Sequence, residues 1–211
     1  MDKIEGIFQT PLFKTKLENT HGLDRELINL LEEQKKLKAG RKKTNKGGFQ
    51  TKLLESGLPA VDKFHQFVSP TVIEFLKKIN IPKDSIVRLS PLWINSNKKD
   101  SYNLPHTHDG EFSLVYYLKA PKDCGSIVFR NPNPAFTILQ FYNLPFPKFN
   151  YYNSQEFVVN PKQNDLLIFP SHLVHSVQPN SSKKERISLA FDCHPIQEDM
   201  SVFTKGEYRE I

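Results

Sequence analysis

HTHDGEFSLVYYL, residues 106 to 118, places two histidines two positions apart, directly before an apolar run. Side chains two positions apart on a strand project from the same face, so His106 and His108 can enter one space, about 6 to 7 Å apart along the chain. Imidazole binds iron, zinc, copper and nickel well. Because two ligands do not complete a metal site, a third ligand must come from elsewhere in the chain.

The apolar run is one of several that follow residue 85. They are rich in Val, Ile, Leu, Phe and Tyr and are separated by Pro, Asn, Asp and Gly. Such runs predict an antiparallel sheet or barrel with hairpin connections. The runs are SIVRLSPLWIN, FSLVYYLKA, GSIVFRN, EFVVNP, DLLIFPS, HSVQP and RISLAFD. We therefore expect a β-sandwich with helices on one side.

The first part of the chain has a different pattern. GIFQTPLFKTKL, residues 6–17, is typical of a strand, and Pro11 favours an edge position. Apolar residues of helical period predict helices over residues 23–37 and 59–81. Pro70 predicts a break and restart within the second helix.

These patterns indicate one domain over residues 1–211. A chain of 211 residues with 38% hydrophobic content can bury one sizeable core. We expect residues 1–85 to provide helical and edge-strand support, residues 86–192 to form the β core, and residues 193–211 to form a C-terminal tail.

Several features predict a cytoplasmic protein that does not enter a membrane. No stretch of about eighteen uncharged apolar residues exists, and MDKIEGIFQTPLF lacks the features of a secretory signal. Cys124 and Cys193 are too few for a disulfide framework, so we interpret both as reduced structural thiols.

The net charge of +6 and the pI near 9.2 raise the question of an anionic partner. Much of the excess lies in EEQKKLKAGRKKTNKGG, residues 32–48, which is typical of a helix end and a solvated basic loop. Contact with an anionic partner is the alternative. Nucleic acid is possible but not favoured, because basic and aromatic residues do not alternate as in proteins that stack single-stranded bases.

Two histidines in DLLIFPSHLVHSVQP, residues 165–179, are candidates for the third ligand because they follow an apolar strand. His21, His65 and His194 have no such local support. Because His175 is the one that fits an H-x-V-x-P pattern (HSVQP), it is interpreted as the ligand and His172 as a turn residue or a neighbour of the ligands.

The series PHTH, SLVYYL, GSIVF, DLLIFPSHLVHSVQP and ERISLAFD resembles the Fe(II)- and 2-oxoglutarate-dependent oxygenases. More narrowly, it resembles their prolyl-hydroxylase-like branch and its small bacterial and phage relatives. In this family an H-x-D/E pair precedes a distant His, with Arg or Lys about ten residues further on. Here Arg186 follows His175 by eleven positions, and Ser188 completes an R-x-S element.

The resemblance implies an α+β, mainly β fold: a cupin-like, double-stranded β-helix (jelly roll) with the N-terminal helices packed on one face. It implies Fe(II), 2-oxoglutarate and O₂ as cofactors and cosubstrates. It also implies that Arg186, assisted by Ser188, binds the distal carboxylate of 2-oxoglutarate and that Tyr117 donates a hydrogen bond to it. The planar guanidinium of arginine suits a carboxylate, which agrees with this assignment.

One position departs from the family pattern, because His108 stands where H-x-D has its carboxylate. His106, His108 and His175 can form an all-nitrogen site; a bulge can bring Asp109 in place of His108; or the carboxylate position is vacant. We favour the three histidines. A neutral third ligand leaves the ferrous site with a net charge of +2 rather than +1.

Two features beside the expected pocket have structural interpretations. Trp93 lies on a flanking strand, and we interpret it as a core residue rather than as a platform for substrate. Residues 131–155 form a long Pro/Asn/aromatic connection, which is either a lid or a hydrophobic cover. Its aromatic residues are Phe141, Tyr142, Phe146, Phe149, Tyr151 and Tyr152.

The predicted function is hydroxylation of a C–H bond in a peptidyl or small-molecule substrate. Two other classes remain open: a three-histidine cupin dioxygenase that does not use 2-oxoglutarate, and a non-catalytic cupin-like binding module. The sequence decides neither the substrate nor the oligomeric state.

Overall fold

The structure is a computed structural model that describes residues 9–83, 85–133, 148–150 and 152–196. These residues form two helices, α1 (His21–Lys36) and α2 (Pro59–Lys78), and twelve strands. The strands are β1 (Phe13–Lys16), β2 (Asn45–Lys46), β3 (Phe49–Gln50), β4 (Ile86–Leu89), β5 (Trp93–Asn97), β6 (Tyr102–His106), β7 (Phe112–Lys119), β8 (Ile127–Arg130), β9 (Glu156–Val159), β10 (Asp165–Pro170), β11 (His175–Val177) and β12 (Arg186–Ile196).

The strands form two antiparallel sheets, as in a double-stranded β-helix. In the described residues the larger sheet has seven strands in the order β1-β10-β7-β12-β5-β3, with β4 also pairing with β12. The smaller sheet has five strands in the order β2-β6-β11-β8-β9. The predicted α+β, mainly β fold is confirmed, and β1 lies at a sheet edge as Pro11 indicated.

Successive side chains of β12 point alternately into the hydrophobic core and into a cavity between the sheets. Ile187, Leu189 and Phe191 are buried in the main hydrophobic core, which the helices share with the outer face of the larger sheet. Arg186 and Ser188 belong to the opposite set and line a cavity between the sheets. Because side chains alternate between the two faces of a strand, one strand supplies both packing and chemistry.

The helices cover the larger sheet through aromatic contacts. The ring of Phe64 on α2 lies 5.4 Å from that of Tyr116 and 5.7 Å from that of Phe191, measured between centroids. Phe75 makes a similar edge contact with Phe112 at 5.1 Å. Neither described helix combines the length and the apolar character that crossing a membrane requires.

The predicted break at Pro70 is wrong, because α2 is continuous through this residue. Pro70 is exposed, so its ring faces away from the core. The buried stripe continues across it from Val68 to Val72, and packing of that stripe outweighs the lost backbone hydrogen bond.

Strand β12 extends beyond the expected end of the β core. Residues 193–196 pair with β4, Cys193 opposite Leu89 and Ile196 opposite Ile86. The rest of the predicted tail, residues 197–211, lies outside the described residues. Cys124 and Cys193 are buried free thiols, in agreement with the expected structural role.

Candidate metal centre

Three imidazoles meet at the cavity between the sheets. Strands β6 and β11 pair so that His106 lies opposite His175. His108 follows the end of β6, and its backbone N–H donates to the carbonyl of Ser171 at 3.0 Å. The three rings bring one ligand nitrogen each to within 4.8 Å of one another.

Hydrogen bonds fix the orientation of each ring. The Nδ1 atom of His106 lies 2.7 Å from the Leu104 carbonyl oxygen, and that of His175 lies 3.0 Å from the Leu173 carbonyl oxygen. An N–H at Nδ1 must donate to each carbonyl, which leaves Nε2 with a free lone pair. Metal-binding histidines are commonly held in this way.

His108 has a carboxylate partner instead of a carbonyl. Its Nδ1 lies 3.0 Å from Asp192 Oδ1. The same oxygen accepts a hydrogen bond from Ser113 Oγ at 2.7 Å, and the Asp192 backbone N–H donates to Ser90 Oγ at 2.8 Å. Asp192 is therefore held in place and directs the Nε2 of His108 toward the other two rings.

Burial keeps two of the rings in the form that binds metal. Desolvation lowers the pKa of His106, and it lowers the pKa of His175 to about 3, with the neighbouring imidazoles adding to the effect. Both side chains are neutral near pH 7, and a neutral imidazole has the lone pair that a cation needs.

The other candidate ligands lie outside this group. Asp109 is exposed at the cavity rim and, among the described residues, does not belong to the cluster of potential ligands. His172 is exposed, and His194 pairs with Glu111 at 2.7 Å. The arrangement thus brings together His106, His108 and His175 and leaves Asp109 apart.

A buried arginine lies deeper in the same cavity. Arg186 is 1% exposed, and its Nη1 donates to the carbonyls of Cys124 and Gln178. Its Nη2 has no hydrogen-bond partner, and no carboxylate of the described residues pairs with it. Burial lowers the pKa of Arg186. A buried cation without a counterion is costly, so this position fits an anionic ligand.

Two of the predicted neighbours of Arg186 line the same space. Ser188 lies two positions along β12, opposite Tyr117 of β7. Burial raises the pKa of Tyr117, and the nearby Arg186 acts in the opposite direction. The Tyr117 hydroxyl therefore stays protonated at neutral pH and is available as a donor.

The cavity has a volume of about 340 Å³, enough for a small organic ligand. Its apolar walls come from both sheets and include Val115, Ile127, Val177 and Ala190. Donor set and shape together fit a ferrous ion and a dicarboxylate: three imidazoles at one end, and a guanidinium without a counterion deeper in the cavity.

Trp93 is not a core residue, contrary to the interpretation of the sequence. It is partly exposed and lines the cavity, with its ring centroid 5.3 Å from that of His108. Neighbouring residues on β5 point to opposite faces of the sheet. Ile94 points into the hydrophobic core, so Trp93 points into the cavity.

Asp192 and Arg41 are among the cavity residues that the sequence analysis missed. Asp192 shares the face of Arg186 and Ser188, so counting by two along RISLAFD would have found it. Arg41 lies outside the regular elements, where no periodicity predicts the direction of a side chain. Most of the aromatic connection, including Phe141, Tyr142, Phe146 and Tyr151, lies outside the described residues, while Phe149 and Tyr152 are exposed.

Comparisons with known proteins indicate the class of protein to which this chain is similar. A family model described as "Putative 2OG-Fe(II) oxygenase" matches residues 91–192, the part of the chain that contains all three histidines and Arg186. No match to this sequence was found among curated proteins.

Solved structures of several oxygenases have the same fold. A Pseudomonas putida prolyl-4-hydroxylase is 16% identical, with 89% of this chain and 94% of that chain covered and a TM-score of 0.58. HygX from Streptomyces hygroscopicus, with nickel, 2-oxoglutarate and hygromycin B bound, is 13% identical, with coverage of 88% and 83% and a TM-score of 0.57. A prolyl hydroxylase from Trichoplax adhaerens in complex with a hypoxia inducible factor peptide fragment is 11% identical, with coverage of 87% and 83% and a TM-score of 0.58.

Residues 91–192, just under half of the chain, match the family of 2OG-Fe(II) oxygenases, and the described residues have the fold of solved oxygenases that depend on Fe(II) and 2-oxoglutarate. The match and the fold are those of an enzyme with Fe(II), 2-oxoglutarate and O₂ as cofactors and cosubstrates.

Proposed function

We propose that this oxygenase hydroxylates a C–H bond of a peptidyl or small-molecule substrate, with Fe(II) held by Nε2 of His106, His108 and His175. The observation that carries the proposal is the pairing of these imidazoles with Arg186, a buried cation with an unpartnered Nη2, in one cavity. The arrangement supports the all-nitrogen alternative over a site that uses Asp109.

Arg186 is proposed to bind the distal carboxylate of 2-oxoglutarate, with hydrogen bonds from Ser188 and Tyr117. The carbonyls of Cys124 and Gln178 hold one side of the guanidinium and leave Nη2 for the ligand. This contact would orient the cosubstrate relative to the histidines, because Arg186 and the three histidines line the same cavity. The apolar walls exclude water from the space between them.

When bound, Fe(II) and 2-oxoglutarate supply the oxidising chemistry, in which O₂ is consumed, 2-oxoglutarate becomes succinate and CO₂, and a substrate C–H bond becomes C–OH. His106, His108 and His175 would hold the metal at the cavity that Arg186 also lines. Among the structural neighbours, HygX was solved with hygromycin B and the Trichoplax enzyme with a peptide, which supports both substrate classes. Action in the cytoplasm stays a prediction.

Anaerobic addition of Fe(II) and 2-oxoglutarate tests the site. We expect a weak visible charge-transfer band, because the keto acid chelates the metal. Arg186→Ala should abolish the band at low 2-oxoglutarate while iron still binds, since only the carboxylate contact is lost. Arg130→Ala, at an exposed arginine on β8, is the matched control and should keep the band.

Other outcomes favour the two remaining classes. Iron binding without a band would indicate a three-histidine dioxygenase that does not use 2-oxoglutarate. Absence of metal binding would indicate a cupin-like binding module. Succinate formation, measured across peptides and small molecules, then identifies the substrate.

A further inference from the structure

The cavity contains a second basic group that the cosubstrate does not use. Arg41 lies in the basic segment, residues 39–52, which joins both sheets: β2 pairs with β6 of the smaller sheet and β3 with β5 of the larger. Its backbone N–H donates to the Gln50 carbonyl at 2.9 Å. The segment therefore fixes Arg41 at the cavity wall.

The guanidinium of Arg41 lies on the face of Trp93, with Cζ 5.2 Å from the ring centroid. Gln50 holds it from the side. With the amide oxygen turned toward the cation, Gln50 accepts from Arg41 Nε at 3.3 Å and Nη2 at 3.2 Å, and from Trp93 Nε1 at 3.2 Å. Two neutral groups thus position the charge, and neither neutralises it.

Arg41 has no acidic partner among the residues that the structure describes. Burial lowers the pKa of its guanidinium, so it is held partly out of water without a counterion. Lys43, two positions further, lines the same cavity and has no acidic partner there either. The acidic groups of the cavity do not balance them: Asp192 is bound to His108, and Asp109 is exposed at the rim.

Trp93 connects this basic group to the candidate metal centre. The Trp93 ring contacts both groups: Arg41 Cζ lies 5.2 Å from its centroid, and the tilted His108 ring lies 5.3 Å from it, measured between centroids. A molecule bound at Arg41 therefore lies beside the proposed metal ligands.

We propose that Arg41, supported by Lys43, binds an anionic group of the substrate, a carboxylate or a phosphate. This inference rests on the proposed function and names the substrate class of the same cavity. The anion on Arg41 places the rest of the substrate over Trp93 and its target carbon near the histidines. A guanidinium with free N–H groups in a partly desolvated site binds such anions by charge-assisted hydrogen bonds.

The chain provides its own reporter, because Trp93 is the only tryptophan in the sequence. The protein, loaded with Fe(II) and 2-oxoglutarate under argon, is titrated with acetate as the carboxylate probe and sulfate as the tetrahedral probe. Sodium chloride at equal ionic strength is the blank. We expect a saturable change in Trp93 fluorescence with at least one probe, and the stronger probe indicates which anion the substrate carries.

Arg41→Gln should weaken that binding at least tenfold, and Lys43→Gln should weaken it less. Lys42→Gln is the matched control, because Lys42 is exposed, lies next in the chain and does not line the cavity. Binding that is equally tight in the wild type and in Arg41→Gln would overturn the proposal, as would an unchanged fluorescence with both probes.

A turnover assay with paired compounds gives an independent readout. Succinate formation is measured for carboxylic acids and phosphate esters and, beside each, for its neutral amide or alcohol. The charged member should have the higher kcat/KM, and Arg41→Gln should reduce that preference. Equal use of charged and neutral members would contradict the proposal. The charge-transfer band distinguishes failure of the proposed function from failure of the Arg41 proposal. Its absence counts against the proposed function, whereas a normal band without anion dependence counts only against the role of Arg41.

Discussion

At the scale of single residues, Asp192 can offset the charge that is lost when His108 takes the place of a carboxylate as the proposed third ligand. A histidine in place of a carboxylate removes one negative charge from the ligand set. The Asp192 carboxylate, hydrogen bonded to His108 Nδ1 at 3.0 Å, places that charge one residue further from the metal position. The negative partner also raises the electron density on the imidazole, so Nε2 of His108 becomes a stronger electron-pair donor to a metal ion.

Asp192→Asn should therefore weaken metal binding about 10- to 100-fold, the usual effect of losing such a partner. The amide can still hold the ring but has no charge. Isothermal titration of the metal-free protein with Fe(II) under argon, or with Ni(II), measures the change. Asp109→Asn is the control and should leave the affinity unchanged. A larger loss in Asp109→Asn than in Asp192→Asn would support Asp109 as the ligand instead.

At the level of elements, the turn between β7 and β8 determines where Arg186 points. Gly125 has φ +85°, a conformation that L side chains rarely adopt. A Cβ at this position would lie 2.3 Å from the Gln178 carbonyl oxygen and 3.0 Å from Arg186 Nη1. Only glycine lets this turn approach the arginine so closely.

Gly125→Ala should lower the affinity for 2-oxoglutarate at least tenfold, because the displaced carbonyls no longer hold the guanidinium. Titration of the charge-transfer band measures that affinity. Gly57→Ala is the matched control: Gly57 also has positive φ, but a Cβ there meets nothing within 4 Å. Both variants should lose stability by about 1 kcal/mol or more from backbone strain. Only Gly125→Ala should weaken the binding of 2-oxoglutarate. An equal loss of affinity in both variants would show that the turn at Gly125 does not position Arg186.

At the scale of the whole molecule, the proposed ligands join the two sheets. His106 and His175 belong to the smaller sheet, whereas Arg186 begins the long central strand of the larger one. A metal ion and a cosubstrate bound between them add contacts that exist only in the folded protein. Binding to the folded state alone stabilises it by mass action.

Saturation with Ni(II) and 2-oxoglutarate, each at 100 times its Kd, should add about 2.7 kcal/mol per ligand to the free energy of unfolding. For a chain of this size we expect Tm to rise by roughly 10 to 20 °C in total. Differential scanning fluorimetry measures the shift. Arg186→Ala should keep the part due to the metal and lose the part due to 2-oxoglutarate. If Arg186→Ala showed the same rise in Tm as the wild type, 2-oxoglutarate would bind at a position other than Arg186.

The fold class and the candidate ligands could be predicted from the amino-acid sequence by itself. Alternating apolar runs specify strands because side chains on a strand have a period of two, and His106, His175, Arg186 and Ser188 stand at spacings that resemble those of the oxygenase family. Continuity of α2 through Pro70 was decided by tertiary packing, since its buried stripe outweighs one missing hydrogen bond. Local pattern contains no information about that packing.

Tertiary structure alone decided which residues surround the proposed ligands. His108 rather than Asp109 turns toward His106 and His175 because Asp192, 84 positions away, holds its ring. Arg41 reaches the cavity because its segment pairs with strands of both sheets, which no spacing within residues 39–52 indicates. Contacts between residues so distant in the chain depend on the positions of whole strands, and those positions are set only when the sheets pack together.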